Sequence, residues 1–296
     1  MDLGRKLINC RMCESIDLYE FLDLGFMPPA DGILSKEEME YPEIHFPLKV
    51  AQCQECGLTQ LTYVVNPNLL YDEKYSYESS ITETGKKHFF EMAELLCTMF
   101  NLSQNDFVID IGSNVGVLLE GFKKKGLKVL GIDAVPKIVT IANNRGIETL
   151  NGLINQEISK KIVDEKGQAK IITATNVFAH IDDKNSLIES IKILLKFDGI
   201  LIIEVPYLVD LIEKCEYDTI YLDHLEYLSI KPLVRYFKKH GMNLFHVEKY
   251  SIHGSSLRIF VSNDERDISY SVKYFLDLEN NKGIYKKEVL NNFSQS

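Results

Sequence analysis

The segment Phe107-Val-Ile-Asp-Ile-Gly-Ser-Asn-Val-Gly116 sets the expectation for the fold. Its first five residues form a short apolar run, and a helical pattern follows over residues 115–125. Between them, Gly112 and Gly116 allow a tight turn and let the backbone approach a ligand at the helix N-terminus. The spacing G-x-x-x-G differs from the G-x-G-x-x-G fingerprint that admits a dinucleotide pyrophosphate. The segment therefore predicts a strand–turn–helix unit that binds a different ligand.

Apolar runs and helical patterns alternate on the C-terminal side of this segment. Strands are predicted at residues 128–133, 170–177 and 199–205, and helices at residues 136–145 and 182–196. This alternation indicates crossover units and an α/β fold with a doubly wound, mostly parallel sheet. Two later runs, at residues 243–250 and 257–262, have no helix between them and are expected to pair antiparallel at the sheet edge. A helix is also predicted near residues 82–100.

Two acidic residues at predicted strand ends suggest the ligand. Asp110 stands two places before Gly112, where it would repel a diphosphate but suits an ammonium group. Asp133 ends the next strand and is placed to accept hydrogen bonds from ribose hydroxyls. Together they describe S-adenosylmethionine; the alternative is that Asp110 is an ordinary strand-end residue. The predicted cofactor residues are Asp110, Gly112, Ser113, Asn114, Gly116, Asp133 and, near the methionine moiety, Asn176.

Four of the six cysteines occur in two C-x-x-C pairs. Cys10 with Cys13, and Cys53 with Cys56, resemble the two thiolate knuckles of a structural zinc site. The alternatives are coincidental pairs or a redox dithiol, but a redox pair is expected alone at a helix start. The sequence therefore predicts one structural Zn²⁺ on these four sulfurs.

Composition and charge narrow the functional classes. The 296 residues carry a net charge of −10, which counts against binding a nucleic-acid backbone. No apolar run approaches the length of a membrane span, and the first residues lack the apolar core of a secretory signal. We therefore expect a cytoplasmic protein with no membrane or nucleic-acid partner; the sequence does not define an oligomeric state.

The chain is expected to divide into three segments. Residues 1–68 form a loop-rich zinc-binding domain, residues 69–264 the S-adenosylmethionine-dependent domain, and residues 265–296 a helical tail. Prolines in the first segment are expected to break any long element there. The metal would then supply the stability that a small core lacks.

Several further motifs resemble those of one enzyme family. They are the cysteine pairs, the Tyr-x-Tyr-x-Ser stretch at 75–79, Ala179-His-Ile181, Ile203-Glu-Val-Pro-Tyr207, Tyr217–His224 and His253–Arg258. In this order they resemble the zinc-containing, S-adenosylmethionine-dependent C-methyltransferases that act on nucleotide-linked keto-sugars in deoxysugar biosynthesis. The resemblance covers essentially the whole chain. It implies a class I methyltransferase fold, Zn²⁺ and S-adenosylmethionine as cofactors, and a nucleotide-linked sugar as substrate.

The resemblance also implies roles for individual residues. His224, at the end of the family's Tyr-His-Glu-His motif, would be the base that removes a proton next to the ketone. The residues that would support it at the reacting sugar are Tyr75, His180, Tyr221 and Asp223. Tyr77 is assigned to the cofactor, and Tyr207, His253 and Arg258 to the substrate.

The sequence departs from the family pattern in three places. Leu222 and Asp223 replace the histidine and glutamate of the motif, and Ser255 replaces the second glycine of His-Gly-Gly-Ser-Leu-Arg. Most members continue into a further C-terminal domain, whereas this chain is expected to stop at Ser296, ahead of it. Two other functions stay open: methylation of a sugar oxygen, and a non-catalytic protein that binds S-adenosylmethionine or a partner.

Overall fold

The structure is a computed structural model that describes residues 2–30, 32–71, 78–79, 82–252 and 254–296. The N-terminal elements are β1 (Gly4–Lys6), β2 (Leu18–Met27), β3 (Phe46–Cys53), β4 (Thr59–Leu61), β5 (Tyr63–Val65) and α1 (Pro67–Leu70). The central elements are α2 (Glu83–Met99), β6 (Phe107–Ile111), α3 (Val117–Lys124), β7 (Lys128–Asp133), α4 (Pro136–Asn144), β8 (Thr149–Asn151), α5 (Gln156–Lys166), β9 (Ala169–Thr175), α6 (Lys184–Leu194) and β10 (Leu195–Pro206). The last elements are α7 (Leu208–Lys214), β11 (Glu226–Tyr227), α8 (Ile230–Lys239), β12 (Asn243–Tyr250), β13 (Ser256–Ser262), α9 (Tyr270–Lys282) and α10 (Lys287–Ser294).

The central sheet has seven strands in the order β12-β13-β10-β9-β6-β7-β8. Strands β10, β9, β6, β7 and β8 run parallel, while β13 pairs antiparallel with both β10 and β12. All five residues of β6 are buried, and neighbouring residues pack into cores on opposite faces of the sheet. The predicted α/β fold, its parallel sheet and the antiparallel pair at the edge are confirmed.

Helices α2 and α3 cover the face of the sheet beside the predicted ligand turn. Helix α2 begins after Thr82, whose hydroxyl accepts a hydrogen bond from the amide of Gly85 at 3.1 Å. Its apolar side chains are spaced at helical intervals and buried; they are Phe89, Met92, Ala93 and Leu96. At the contact with α3, a side chain on Gly121 would lie 2.8 Å from Ala93 Cβ, so the helices approach as closely as glycine permits.

The N-terminal segment contains more regular structure than its prolines suggested. Strand β2 is ten residues long and β3 is eight, so the expectation that prolines break every long element is wrong. Pro28 and Pro29 fall after β2 has ended. Pro47 lies near the start of β3, opposite Phe26 of β2 and beyond the residues that pair with β4, so its missing N–H falls outside the β3–β4 ladder.

A short strand from the C-terminal half completes the N-terminal sheet. This sheet has the order β11-β4-β3-β2, and Glu226 of β11 is paired with Gln60 of β4. The tail also touches this region, because Gln52 Nε2 donates to the carbonyl of Ile284 at 3.0 Å. The boundaries at residues 68 and 264 stay predictions, but the three segments contact one another. In the described part of the chain, no helix has the length and apolar character needed to cross a bilayer.

Candidate functional site

A cavity of about 350 Å³ opens at the carboxyl ends of β6, β7 and β9. Strand order reverses there, since β7 and β8 lie on one side of β6 and β9 on the other. Ligands of open α/β sheets bind in this crevice, and the volume suits a small-molecule ligand. Six of the eight residues predicted for the cofactor line it: Asp110, Gly112, Ser113, Asn114, Asp133 and Asn176.

The glycine turn forms the floor of this cavity. Gly112 has φ +69° and the amides of Gly112 and Ser113 donate to the carbonyl of Ile132 at 2.8 and 3.2 Å. A Cβ on Gly112 would lie 2.7 Å from the side chain of Val177, so conformation and space both require glycine. Gly116 precedes α3 with φ +79° and does not line the cavity; it packs against Ile147.

Two carboxylates face the cavity from neighbouring strands. Asp110 is 2% exposed, and burial raises its pKa to about 7 although Thr173 donates to it at 2.6 Å. Asp133 accepts hydrogen bonds from the amides of Asn114 and Val135, at 2.9 and 3.0 Å. Burial raises the pKa of Asp133 as well. The two acids therefore suit a ligand that brings a cation and hydroxyl donors, as S-adenosylmethionine does with its ammonium group and ribose.

Two histidines lie beside the cofactor cavity. His180 ends a short 3₁₀ turn after β9, and its Nδ1 lies 3.1 Å from the hydroxyl of Tyr71. Burial holds the pKa of His180 well below its usual range, so this ring is neutral. The rings of His180 and His224 have centroids 5.0 Å apart. A second cavity of about 20 Å³ touches both rings and shares His180 and Asn176 with the larger one.

The hydrogen bonds of His224 define its tautomer. Nδ1 lies 2.8 Å from the carbonyl of Thr219, which can only accept, so Nδ1 carries the proton. In the neutral ring Nε2 then bears the lone pair, and it lies 2.6 Å from the hydroxyl of Tyr221. Asp223 is buried next to His224 in the chain. A neutral imidazole can remove a proton, and the phenol beside it can donate a hydrogen bond to a neighbouring atom.

Of the residues predicted to bind substrate, the structure describes Arg258, which lies away from the site, and Tyr207, which lies at its border. Arg258 is 1% exposed, lines neither cavity, and pairs with Glu204 at 2.7 Å. Tyr207 borders the smaller cavity, but its hydroxyl donates to Glu279 of α9 at 3.2 Å. The predictions for Tyr75, Tyr77 and His253 fall outside the described residues.

Sequence reasoning missed the buried network around Arg258. Glu204 also contacts His88 Nε2 at 2.6 Å, which places a histidine of α2 and two charged residues of the sheet in one cluster. The sequence did carry a signal, because Glu204 interrupts the otherwise apolar run of β10. A buried carboxylate in such a strand requires a partner.

The four paired cysteines converge at one end of the N-terminal sheet. Their sulfurs lie within 4.8 Å of one another, with Cys10–Cys56 and Cys13–Cys53 both at 3.5 Å. Tetrahedral Zn²⁺ with Zn–S bonds of about 2.3 Å requires S–S edges of roughly 3.8 Å, so the cluster fits zinc. The hydrogen bond between the sulfurs of Cys10 and Cys56 lowers the pKa of the Cys10 thiol and raises the pKa of the Cys56 thiol, so one thiolate is favoured within this pair.

Known proteins are similar to both the cysteine-rich region and the region that contains the larger cavity. A sequence family described as "Putative zinc binding domain" matches residues 10–71, and one described as "Methyltransferase domain" matches residues 86–247. The C-methyltransferase NovU of Streptomyces niveus is 31% identical over 285 residues, which is 96% of this chain and 68% of that protein. The ubiquinone biosynthesis O-methyltransferase of Colwellia psychrerythraea is 29% identical over 105 residues, 33% of this chain and 43% of that protein.

Solved structures share the fold at low identity. The PH0226 protein of Pyrococcus horikoshii OT3 superimposes with a TM-score of 0.52 at 13% identity, over 64% of this chain and 95% of that one. The predicted class I fold, the zinc-binding N-terminal region and the S-adenosylmethionine cofactor are confirmed. The chain belongs to the S-adenosylmethionine-dependent methyltransferases, and joins a cysteine-rich zinc-binding region to a class I methyltransferase domain.

Proposed function

We propose that this enzyme methylates a carbon next to a ketone on a nucleotide-linked sugar, with His224 as the base. The observation that carries the proposal is the His224–Tyr221 contact of 2.6 Å beside the cofactor cavity. The similarity to a protein named as a C-methyltransferase, over 96% of the chain, supports carbon as the acceptor. The sugar and its nucleotide rest on the motif resemblance given above.

The chemistry requires a base and a hydrogen-bond donor close together. Nε2 of His224 takes the proton from the carbon next to the ketone, and the C–H electrons form the enolate double bond. The negative charge moves to the keto oxygen, which would accept a hydrogen bond from the Tyr221 hydroxyl once substrate separates that hydroxyl from Nε2. When bound, S-adenosylmethionine would supply its methyl group to the enolate carbon, and the electrons of the broken S–C bond would stay on the sulfur. The imidazolium then returns its proton to water, and His224 is restored.

The cofactor residues have separate tasks in this proposal. Asp133 holds the ribose hydroxyls, Asp110 faces the ammonium group, and the turn at Gly112 passes beneath the ligand. Asn176 and His180 border both cavities, so they lie between the cofactor and the base. This arrangement supports transfer of the methyl group to a substrate held beside His224.

Replacing Asp133 with alanine is expected to weaken S-adenosylmethionine binding by about 5–150-fold. That range corresponds to roughly 1–3 kcal/mol for losing a charged hydrogen-bond acceptor. Isothermal calorimetry measures the change. The matched control is Asp164→Ala, at an exposed aspartate of α5 that lines neither cavity, and it should leave affinity unchanged. Equal affinities for wild type and Asp133→Ala would contradict the ribose assignment.

Cofactor affinity is expected to rise with pH up to about 7. The pKa of Asp110 is about 7 without ligand, and a nearby ammonium group favours the ionised form. Binding below pH 7 must therefore release a proton, and affinity should increase as pH rises towards 7 and then level off. Calorimetry at pH 6 in buffers of different ionisation enthalpy measures the release. Asp110→Asn should abolish it, and proton uptake by wild type would contradict the prediction.

Deuterium exchange tests carbon against oxygen as the acceptor. We would use a panel of nucleoside-diphosphate keto-deoxysugars, deuterated on the carbons next to the ketone, with wild-type enzyme and S-adenosylmethionine. An enolate requires that the label at the reacting carbon be lost to solvent, as read by mass spectrometry of the methylated product. Full retention of deuterium in a methylated product would overturn the proposal in favour of oxygen methylation.

A further inference from the structure

A cluster of buried charges lies between the first cysteine pair, Cys10 and Cys13 (here called the zinc knuckle), and the two histidines His180 and His224. Arg11 follows Cys10 and precedes Cys13 in the chain, and its side chain is only 1% exposed. Its guanidinium pairs with Asp182, two residues after His180. Its backbone amide donates to Gln60 Oε1 at 3.0 Å, and Gln60 is the β4 partner of Glu226. Arg11 thus contacts the segment after His180 directly, and it reaches the segment after His224 through Gln60.

A second buried cation connects those two segments. Lys184 Nζ donates to the carbonyls of Phe178 and Ile181, which bracket His180 in its 3₁₀ turn; the second bond is 2.6 Å long. The same nitrogen lies 3.2 Å from Glu226, two residues after His224. Both side chains of this pair are fully buried. Lys184 therefore holds the His180 turn against the strand that follows His224.

Apolar side chains could fill the space that these buried charges occupy, so filling the interior does not explain them. Packed apolar side chains of similar volume often stabilise a protein as well as a buried ion pair does, whereas buried ionic groups can fix the register of the elements they join. In this protein they join three elements whose relative position sets the His180–His224 spacing. Among these charged residues, Arg11 is the one that belongs to the N-terminal segment, and the zinc knuckle holds it in place.

We propose that Arg11 is a positioning residue that transmits the order of the zinc knuckle to His180 and His224. The catalytic consequence of this inference rests on the proposed function, whereas the effect of Arg11 on the positions of His180 and His224 can be tested without it. When the knuckle is formed, Arg11 holds Asp182 and the His180 turn at the spacing that the base requires. The zinc region would thus act on the chemistry through protein contacts, without touching the substrate.

The test is Arg11→Met in the full-length, zinc-loaded protein. Methionine keeps much of the volume and removes the charge. We expect one zinc per chain, and a change in S-adenosylmethionine affinity smaller than the change in exchange rate, because Arg11 lines neither cavity and its partner Asp182 lines only the larger one. The imidazole ¹⁵N resonances of His180 and His224 should shift. Cofactor-free deuterium exchange should fall about 10–100-fold, as expected for a misplaced base. Arg11→Lys should restore part of the loss.

Arg5 provides a matched control. It pairs with the other oxygen of Asp182 at 2.6 Å, but its side chain is 56% exposed and it is outside the knuckle. Arg5→Met should leave the imidazole resonances and the exchange rate at wild-type values. Equal effects of Arg5→Met and Arg11→Met would overturn the inference, since simple loss of a cation near Asp182 would then explain both.

Two further outcomes keep the inference separate from the proposed function. If Arg11→Met does not fold, Asp182→Asn removes the same contact from the other side, and unchanged imidazole resonances in that variant would overturn the inference. If wild type exchanges no label from any keto-sugar, the proposed function fails. A resonance shift in Arg11→Met would then still support the positioning role.

Discussion

His224→Ala is expected to lower turnover by about 10²–10⁴-fold, the usual contribution of a positioned general base. The variant removes the nitrogen that lies 2.6 Å from the Tyr221 hydroxyl. Cofactor affinity should hardly change, because His224 does not line the larger cavity. Steady-state kinetics give the turnover number, and calorimetry gives the dissociation constant for S-adenosylmethionine.

Two companion variants make this result specific. Tyr221→Phe keeps the ring and removes the donor, so it should reduce turnover less than His224→Ala and leave His224 able to exchange label. His45→Ala changes an exposed histidine that lines neither cavity and should behave as wild type. Turnover of His224→Ala within a factor of about three of wild type would contradict its role as base.

Removing the metal is expected to unfold the N-terminal region. Structural zinc contributes about 10–16 kcal/mol of apparent binding free energy in small metal-dependent folds, so chelation should exceed the stability of this sheet. The cysteine cluster packs in the same apolar core as Met12, Phe46 and Leu61, which would become exposed. Native protein should contain one zinc per chain by elemental analysis. A strong chelator should lower the midpoint of thermal unfolding and make residues before α2 susceptible to proteolysis.

The chain offers a matched pair of cysteine variants for this experiment. Cys53→Ser removes a ligand at the end of β3 and should lose most of the zinc. Cys97→Ser alters a half-buried thiol of α2 outside the cluster and should retain the metal. Substantially less than one zinc per native chain, or thermal unfolding that does not respond to the chelator, would contradict the prediction.

The central sheet could be predicted because its signals are local. Each buried strand is a short apolar run, and each helix shows its own periodicity, so alternation alone indicates parallel crossover units. The turn at Gly112–Gly116 identifies the strand whose end faces the ligand. Asp133 could be predicted as a second ligand-binding residue because it ends the next strand. The structure then places Asp110 and Asp133 at one cavity, as parallel strands with aligned ends require.

The contacts that join distant segments could not be predicted in this way. Strand β11 is two residues long, and nothing in Glu226–Tyr227 indicates that its partner is β4. The pairing of Arg258 with Glu204, and that of Arg11 with Asp182, likewise depend on which elements become neighbours in the fold. Local patterns report the period and burial of a segment, while the choice of a remote partner depends on the packing of the whole chain.

The β4–β11 pairing also constrains the order of events on the ribosome. The N-terminal cysteines emerge early, but the edge strand that covers β4 is roughly 160 residues further along the chain. At about 5–20 residues per second, the nascent protein spends on the order of 10–30 s with that edge unpaired. An unpaired edge is a template for other strands. The interval in which this protein is exposed to misassembly thus ends only when Tyr227 leaves the exit tunnel.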